Sequence, residues 1–323
     1  MIEARGLTKR YGSTLAVDQL SFEIRPGVVT GFLGPNGAGK TTTMRIILGL
    51  DNPTGGSVTV NGRSYQRSPA PMQEIGALLD AKAVTGNRSA YNHLLWLAQA
   101  GGIPRRKIDE VLDTVGLTDV AGRRVGGFSL GMYQRLGIAA ALLGDPGILL
   151  FDEPVNGLDP EGIIWIRTLM KRLASEGRTI FVSSHLMSEM GETADHVLVI
   201  GRGRLIADMS VSDLTQRSSS SHVKVISPQK EELAPLLTSQ GATVRNGADG
   251  ALLVTGMDAT HISDIAATNN VRLHELSTQR ASLEAAFLEL TRDSTEFQTG
   301  AAGQADASDV AETVRALTDE RTN

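Results

Sequence analysis

Several short stretches of the chain hold polar residues whose order and spacing suit phosphate chemistry. "GPNGAGKT", Gly34 to Thr41, has the spelling G-x-x-x-x-G-K-[ST]. Glycines at that spacing let successive backbone N–H groups turn inward toward one anion, at the positive end of the helix that follows. Gly34, Pro35, Asn36, Gly37, Ala38 and Gly39 would form the loop, with Thr42 in the first helical turn behind it. Lys40 supplies a point charge for the β- and γ-phosphate oxygens, and the Thr41 hydroxyl supplies a ligand for Mg²⁺.

A nucleotide held in such a loop needs a carboxylate from a neighbouring strand. "GILLFDEP" is an apolar run ending in Asp152 and Glu153. Asp152 is expected to hold Mg²⁺, directly or through water. Glu153, one residue further out, is expected to face the γ-phosphate and to orient or deprotonate the attacking water. "TIFVSSHLMSE" places His185 after another apolar run, where a γ-phosphate contact fits better than a structural role. Tyr11 in "KRYGST" is either a core aromatic or a platform for adenine. "FSLGMYQRL" has neither acid nor histidine. Taken alone, its Ser129 and Gly131 read as a helix cap.

The elements that must carry these residues follow from hydrophobic patterning. "VVTGFL", "GILLF", "TIFVSS" and "HVLVI" are continuously apolar, as expected of strands buried on both faces. Over the first 215 residues such runs alternate with helical patterns, the signature of an α/β fold. Residues 82–143 show helical periodicity without a convincing strand, so they read as a helical insertion. The nucleotide-binding unit spans 1–217 on this reading. After "RSSSS" a smaller unit, 218–292, has the order β-α-β-β-α-β of a ferredoxin-like α+β sandwich, followed by the helix "SLEAAFLELT". It holds no catalytic cluster and is expected to pack, dimerise or regulate. Residues 293–323 form an acidic tail whose composition favours disorder, although Val310, Val314 and Leu317 share helical spacing.

Composition narrows the function class. The 323 residues include no cysteine, which excludes disulfides and thiolate metal sites. Aromatics are 4%, too few for an extended single-strand stacking surface. Net charge is −5, and from Thr291 onward three arginines against seven acids leave −4 of it in the tail. The nearly neutral body lacks the basic footprint of a nucleic-acid-binding protein. "LGIAAALLGDPGILLF" is broken by Asp145-Pro146, short of a membrane span, and "MIEARGLTKR" lacks the apolar core of a signal peptide. Any role at a membrane is expected to pass through a partner.

In order, "GPNGAGKTT", "FSLGMYQRL", "GILLFDEP", "NGLDP" and "SSH" resemble the nucleotide-binding subunit of ABC transporters, over roughly residues 2–215. The resemblance implies a P-loop NTPase core, ATP and Mg²⁺ as ligands, and ATP hydrolysis. It makes Tyr11 the adenine-stacking aromatic, His185 a γ-phosphate switch, and Asp159 part of a loop that communicates across a dimer. It also gives the clamp its role, because two such subunits face each other head to tail. Ser129 and the Gly131 N–H of one would then grip the ATP bound to the other. Leu130 and Met132 depart from the usual L-S-G-G-Q signature, while the serine and second glycine remain. The spelling "SLGM" before "QRL" is similar to a subgroup that drives ABC-2 type exporters of drugs and antibiotics. A separate permease, a second copy of the chain, no nucleic acid and a place at the cytoplasmic face of the membrane follow as expectations. A ribosome-acting ABC ATPase usually holds two cassettes, and only one P-loop occurs here. A DNA-repair ATPase needs long coiled coils, for which the insertion is too short.

The family usually places a glutamine about forty residues after the P-loop lysine. In "IGALLDAKAV" that position falls at Asp80. Asp80 is expected either to reach Mg²⁺ or its bound water, or to cap the turn.

Overall fold

The computed structural model describes residues 1–218, 221–247, 250–279 and 281–295. The acidic tail beyond Thr295, with the Val310, Val314 and Leu317 spacing, lies outside the described residues.

The chain begins with two antiparallel strands, β1 (Ile2–Tyr11) and β2 (Thr14–Ile24), before the first parallel strand, β3 (Val29–Leu33). A fourth strand, β4 (Gly55–Val60), pairs antiparallel on the other edge of β1. This three-stranded sheet corrects the expectation of simple strand–helix alternation over the first 215 residues. Its signal is the alternation in "LSFEI", where Leu20, Phe22 and Ile24 are buried while Ser21 and Glu23 are exposed.

The central sheet has six strands in the order β5-β6-β7-β3-β8-β9, namely β5 (Ile75–Leu78), β6 (Ile148–Asp152), β7 (Thr179–Ser184), β3, β8 (His196–Gly201) and β9 (Arg204–Ser210). All are parallel except β9, which turns back antiparallel on β8. Both faces are covered, which explains the unbroken apolar runs. On one face Phe32 of β3 and Phe181 of β7 meet Phe22 of β2, with ring centroids 5.0–6.2 Å apart. Met44, Ile46 and Ile47 of helix α1 (Lys40–Ile47) complete that core. Truncating Phe181 to alanine there would cost about 3–5 kcal/mol.

The opposite face carries the insertion. After the single turn α2 (Pro71–Glu74), it consists of α3 (Ala90–Ala100), α4 (Arg106–Thr114) and α5 (Leu130–Leu142), as its periodicity predicts. Helices α6 (Pro160–Ser175), α7 (Met187–Thr193) and α8 (Val211–Arg217) pack beside it in one continuous core. Side chains stop the helices where the sequence says they should. Ser89, Ser129 and Asp159 accept N–H groups from the first turns of α3, α5 and α6, and Pro160 opens α6 without losing a donor.

The small C-terminal sheet contains β10 (His222–Ile226), β11 (Thr243–Asn246), β12 (Leu252–Thr255) and β13 (Glu275–Gln279). Its order, β11-β12-β10-β13, with all pairs antiparallel, is the ferredoxin-like arrangement expected. Helices α9 (Lys230–Ser239) and α10 (Ala259–Thr268) cover one side of it. Two details differ from expectation. The last strand starts at Glu275 rather than Val271, because Val271 N–H closes the end of α10 on Ala266 O and pairing begins only at Ile226. The final helix, α11 (Leu283–Thr295), packs away from this sheet. Its Leu283, Ala286 and Phe287 enter the large core against α7, α8 and β8, so after β13 the chain returns to the first unit.

Candidate functional site

Strand register brings the expected residues together. In the sheet, Leu33 lies opposite Ser184, and Asp152 lies opposite Ser183. The loop after β3, the acids after β6 and the histidine after β7 therefore leave three adjacent strands at one level. Ligands of open parallel sheets collect at such carboxyl ends. An open cleft of about 680 Å³ is lined there by residues 36–42, Ala16, Leu79, Asp152 and Glu153.

The loop can curl only because of its glycines. Gly39 has φ 103°, and a Cβ on it would stand 2.4 Å from Ala16 O. Gly37 has φ 79°, a left-handed backbone that glycine adopts without a steric cost. Gly34, Pro35, Asn36 and Ala38 complete the turn into α1, whose first N–H groups have no intrahelical acceptor. The fold thus supplies the anion cradle that the spelling implied.

Lys40 is buried at the base of this cradle. Its Nζ donates to Gly34 O at 2.7 Å and Pro35 O at 3.3 Å, and it lies 4.0 Å from Glu153 Oε1. Desolvation lowers the ammonium pKa from its ordinary value, against the pull of Glu153 and Asp152. The Thr41 hydroxyl donates to Asp152 Oδ2 at 2.6 Å, and Ser183 Oγ donates to Asp152 Oδ1. A hydroxyl and a carboxylate in contact beside a phosphate cradle are the hard oxygen donors that Mg²⁺ takes. The residues present fit that ion.

Glu153 stands between Lys40 and His185. Its Oε2 accepts the His185 backbone N–H at 3.4 Å and lies 2.8 Å from His185 Nδ1. Its backbone is left-handed, φ 51°, which is uncommon for a residue other than glycine. Backbone strain of this kind gathers at functional sites.

The remaining candidates sit apart. Tyr11 ends β1, donates to Asp51 Oδ2 at 2.9 Å, meets the Thr42 side chain, and carries Lys9 Nζ over its ring at 4.7 Å. Ser129 is exposed and Gly131 half-buried at the start of α5, and neither is among the lining residues of the cleft. Asp159 is an exposed cap on α6. Asp80 stands with its own turn rather than with Thr41 and Asp152. It is exposed, and its Oδ1 accepts Lys82 N–H at 2.8 Å, while Leu79, one residue earlier, lines the cleft. Three further residues had no signal in the sequence. Ser183 looks like any strand residue in "TIFVSS", Ala16 reaches the cleft only through the unforeseen sheet, and Gln134 lies inside an apolar helix.

Comparison with known proteins agrees with this geometry. A family model described as ABC transporter matches residues 17–156, and one described as a domain of unknown function matches residues 221–284. The chain is 37% identical over 299 residues to an ABC transporter ATP-binding protein, YhcH, of Bacillus subtilis (strain 168), covering 92% of this chain and 97% of that one. It is 44% identical over 221 residues to the bacitracin transport ATP-binding protein BcrA of Bacillus licheniformis, covering 68% and 72% of the two chains. Among solved structures, a dimeric ATP-binding cassette in a post-hydrolysis state with ADP and Pi superposes with a TM-score of 0.60 at 25% identity. It covers 65% of this chain and 99% of that one. With a P-loop, two strand-end acids and a histidine set at one edge of such a fold, the chain belongs to the family of ABC transporter ATP-binding proteins and is an ABC-type ATPase.

Proposed function

We propose that two copies of this chain hydrolyse ATP between them and drive export of a hydrophobic, antibiotic-like compound through a separate permease at the cytoplasmic face of the membrane. The observation that carries the reading is the meeting of Lys40, Thr41, Asp152, Glu153 and His185 at three neighbouring strand ends, with Ser129 exposed and Gly131 half-buried outside that cleft. One chain supplies a cradle and a base, and the other supplies the clamp. Leu130 and Leu186 flank the clamp and the histidine, and at 43% and 37% exposed they are apolar surface that pairing would cover. Similarity to a bacitracin transport protein supports the cargo class. Among the described residues no helix is long and apolar enough to cross a membrane, which supports a separate permease.

On this reading Lys40 leaves its loop carbonyls for the β- and γ-phosphate oxygens, and the glycine-loop N–H groups hold the anion. Thr41 and Asp152 hold Mg²⁺, which offsets phosphate charge when bound. Glu153 takes a proton from water as the water oxygen bonds to the γ-phosphorus. The bond from that phosphorus to the β,γ-bridging oxygen breaks, leaving ADP and inorganic phosphate. His185, already against Glu153, contacts the γ-phosphate and reports its loss. Tyr11 stacks on the adenine.

The test is Glu153→Gln. Turnover should fall by roughly 10²–10³-fold while ATP binding stays within about twofold, and ATP with Mg²⁺ should move the chain from monomer to dimer on a sizing column. Monomer alone, with turnover retained, would remove Glu153 from the role of base.

A further inference from the structure

Gln134 is a buried polar residue to which nothing above gives a role. It lies one turn into α5 behind Ser129 and is 6% exposed. Its Nε2 donates to two backbone carbonyls after β6, Glu153 O at 3.3 Å and Asn156 O at 3.1 Å. Its Oε1 is buried without a partner among the described residues. The reverse amide orientation would set Oε1 against both carbonyl oxygens, so the donors decide where the side chain sits. A leucine or methionine would fill the same space without stranding a polar atom.

One of the two carbonyls that Gln134 grips belongs to Glu153, the strand-end acid held in a left-handed turn. The Glu153 N–H donates to Ser183 O at 3.2 Å and to Ser183 Oγ at 3.1 Å. The two peptide units around its Cα are therefore fixed from opposite sides, by β7 and by α5. The same helical turn touches the same loop twice more. A Cβ on Gly157 would fall 2.1 Å from Leu130 Cδ2, and a Cβ on Gly131 would fall 3.3 Å from Gly157 O. The start of α5 and residues 153–157 thus fit as one piece.

We propose that Gln134 is a positioning residue. It holds the Glu153 peptide in its left-handed turn, aims the carboxylate at Lys40 and His185, and ties that carboxylate to the helix that begins at Ser129. This rests on Glu153 being the group that activates water. Without the amide, the Glu153 carbonyl is released and the residue relaxes toward the ordinary backbone regions, taking its carboxylate off target.

The experiment compares ATP turnover by the full chain as wild type, Gln134→Met and Gln134→Glu, with Glu153→Gln alongside. Methionine matches the length of glutamine and donates nothing. Its kcat should fall by about tenfold or more, while KM and the directly measured ATP Kd stay within about twofold of wild type. Gln134→Glu should match methionine at pH 8, where a carboxylate faces two carbonyls. It should regain several-fold in kcat relative to wild type by pH 6, as the buried acid takes a proton and donates it to one carbonyl. Lys40, Asp152, Glu153 and His185, the ionisable groups around the loop, are common to these variants and wild type and cancel in that ratio. A packing role alone would lower Tm and ATP affinity together and give no recovery with pH. A Gln134→Met kcat within twofold of wild type would overturn the proposal. So would a Gln134→Glu variant that tracks methionine at every pH, and this arm decides even where methionine fails to fold. Full turnover by Glu153→Gln would instead sink the assignment of Glu153, and it would show separately.

Discussion

The cleft at the strand ends and the exposed start of α5 are the two halves of the proposed ATP site, and their polar groups are satisfied in opposite ways. In the cleft every ionisable group has a partner already in place. Lys40 sits on loop carbonyls and near Glu153, Thr41 and Ser183 hold Asp152, and His185 holds Glu153. At the start of α5, among the described residues, Ser129 Oγ accepts only the Met132 N–H of its own helix, at 3.3 Å. A half-site whose polar groups are already partnered within it can wait for ATP without a second chain. A half-site of one hydroxyl and backbone N–H groups has nothing to balance until an anion arrives. On the proposed two-chain reading, one chain would bind nucleotide by itself and the second chain would act on what is already bound.

The largest effect that separates the two halves should come from Lys40→Ala. It removes the only cation lining the cleft among the described residues, and charge-assisted hydrogen bonds of this kind are worth about 1.5–3 kcal/mol. ATP Kd for the monomer should rise by roughly ten- to a hundredfold, read by equilibrium binding at low protein concentration. A Kd unchanged by the substitution would mean that the cradle amides alone hold the phosphates.

Ser129→Ala should do less, and at a different stage. Monomer ATP affinity should stay within about twofold, while ATP-dependent pairing in a Glu153→Gln background weakens by about tenfold, the equivalent of about 1.4 kcal/mol. Sedimentation with and without ATP measures it. The lost helix cap costs about 1 kcal/mol of stability besides, so Tm should drop by a few degrees. If the monomer's own ATP affinity falls instead, Ser129 belongs to the same site as Lys40 and the contrast between the halves collapses.

The cleft was legible in the sequence because each of its parts is local. A glycine loop, an acid pair and a histidine each follow an apolar strand, and parallel register carries all three to one edge. What escaped was everything set by partners distant in the chain. The β1-β2-β4 sheet was missed because strands β1 and β2 alternate polar and apolar residues only in part, with register shifts after Ala4, Leu7 and Lys9. Helix α11 shows an apolar stripe, and nothing in that stripe says which core it enters. Gln134 is invisible because an amide inside "MYQRL" looks like a solvated residue until the carbonyls of Glu153 and Asn156 are placed over it.

Asp80 gives the smallest effect and the finest discrimination. Its position after β5 is where either a metal-reaching side chain or a turn cap was expected, and in the structure its carboxylate accepts Lys82 N–H in the turn. Asparagine keeps the acceptor oxygen that this turn uses. Asp80→Asn should therefore leave Tm, ATP affinity and the Mg²⁺ concentration for half-maximal turnover unchanged. Alanine removes the acceptor. A lost side-chain hydrogen bond to an exposed turn N–H is worth about 0.5–1 kcal/mol, so Asp80→Ala should lower Tm by about 2 °C, again with no change in Mg²⁺ dependence. The carboxylate has a reason to stay off the phosphates. At about 5 Å and an effective dielectric near 20, one phosphate charge would repel it by about 3 kcal/mol, several times what the turn contact supplies. Only a bound cation between them reverses that balance. If Asp80→Asn raises the Mg²⁺ requirement while metal-free ATP binding holds, the carboxylate swings from its turn to the metal during the cycle. The cleft would then contain an acid that its resting geometry keeps outside.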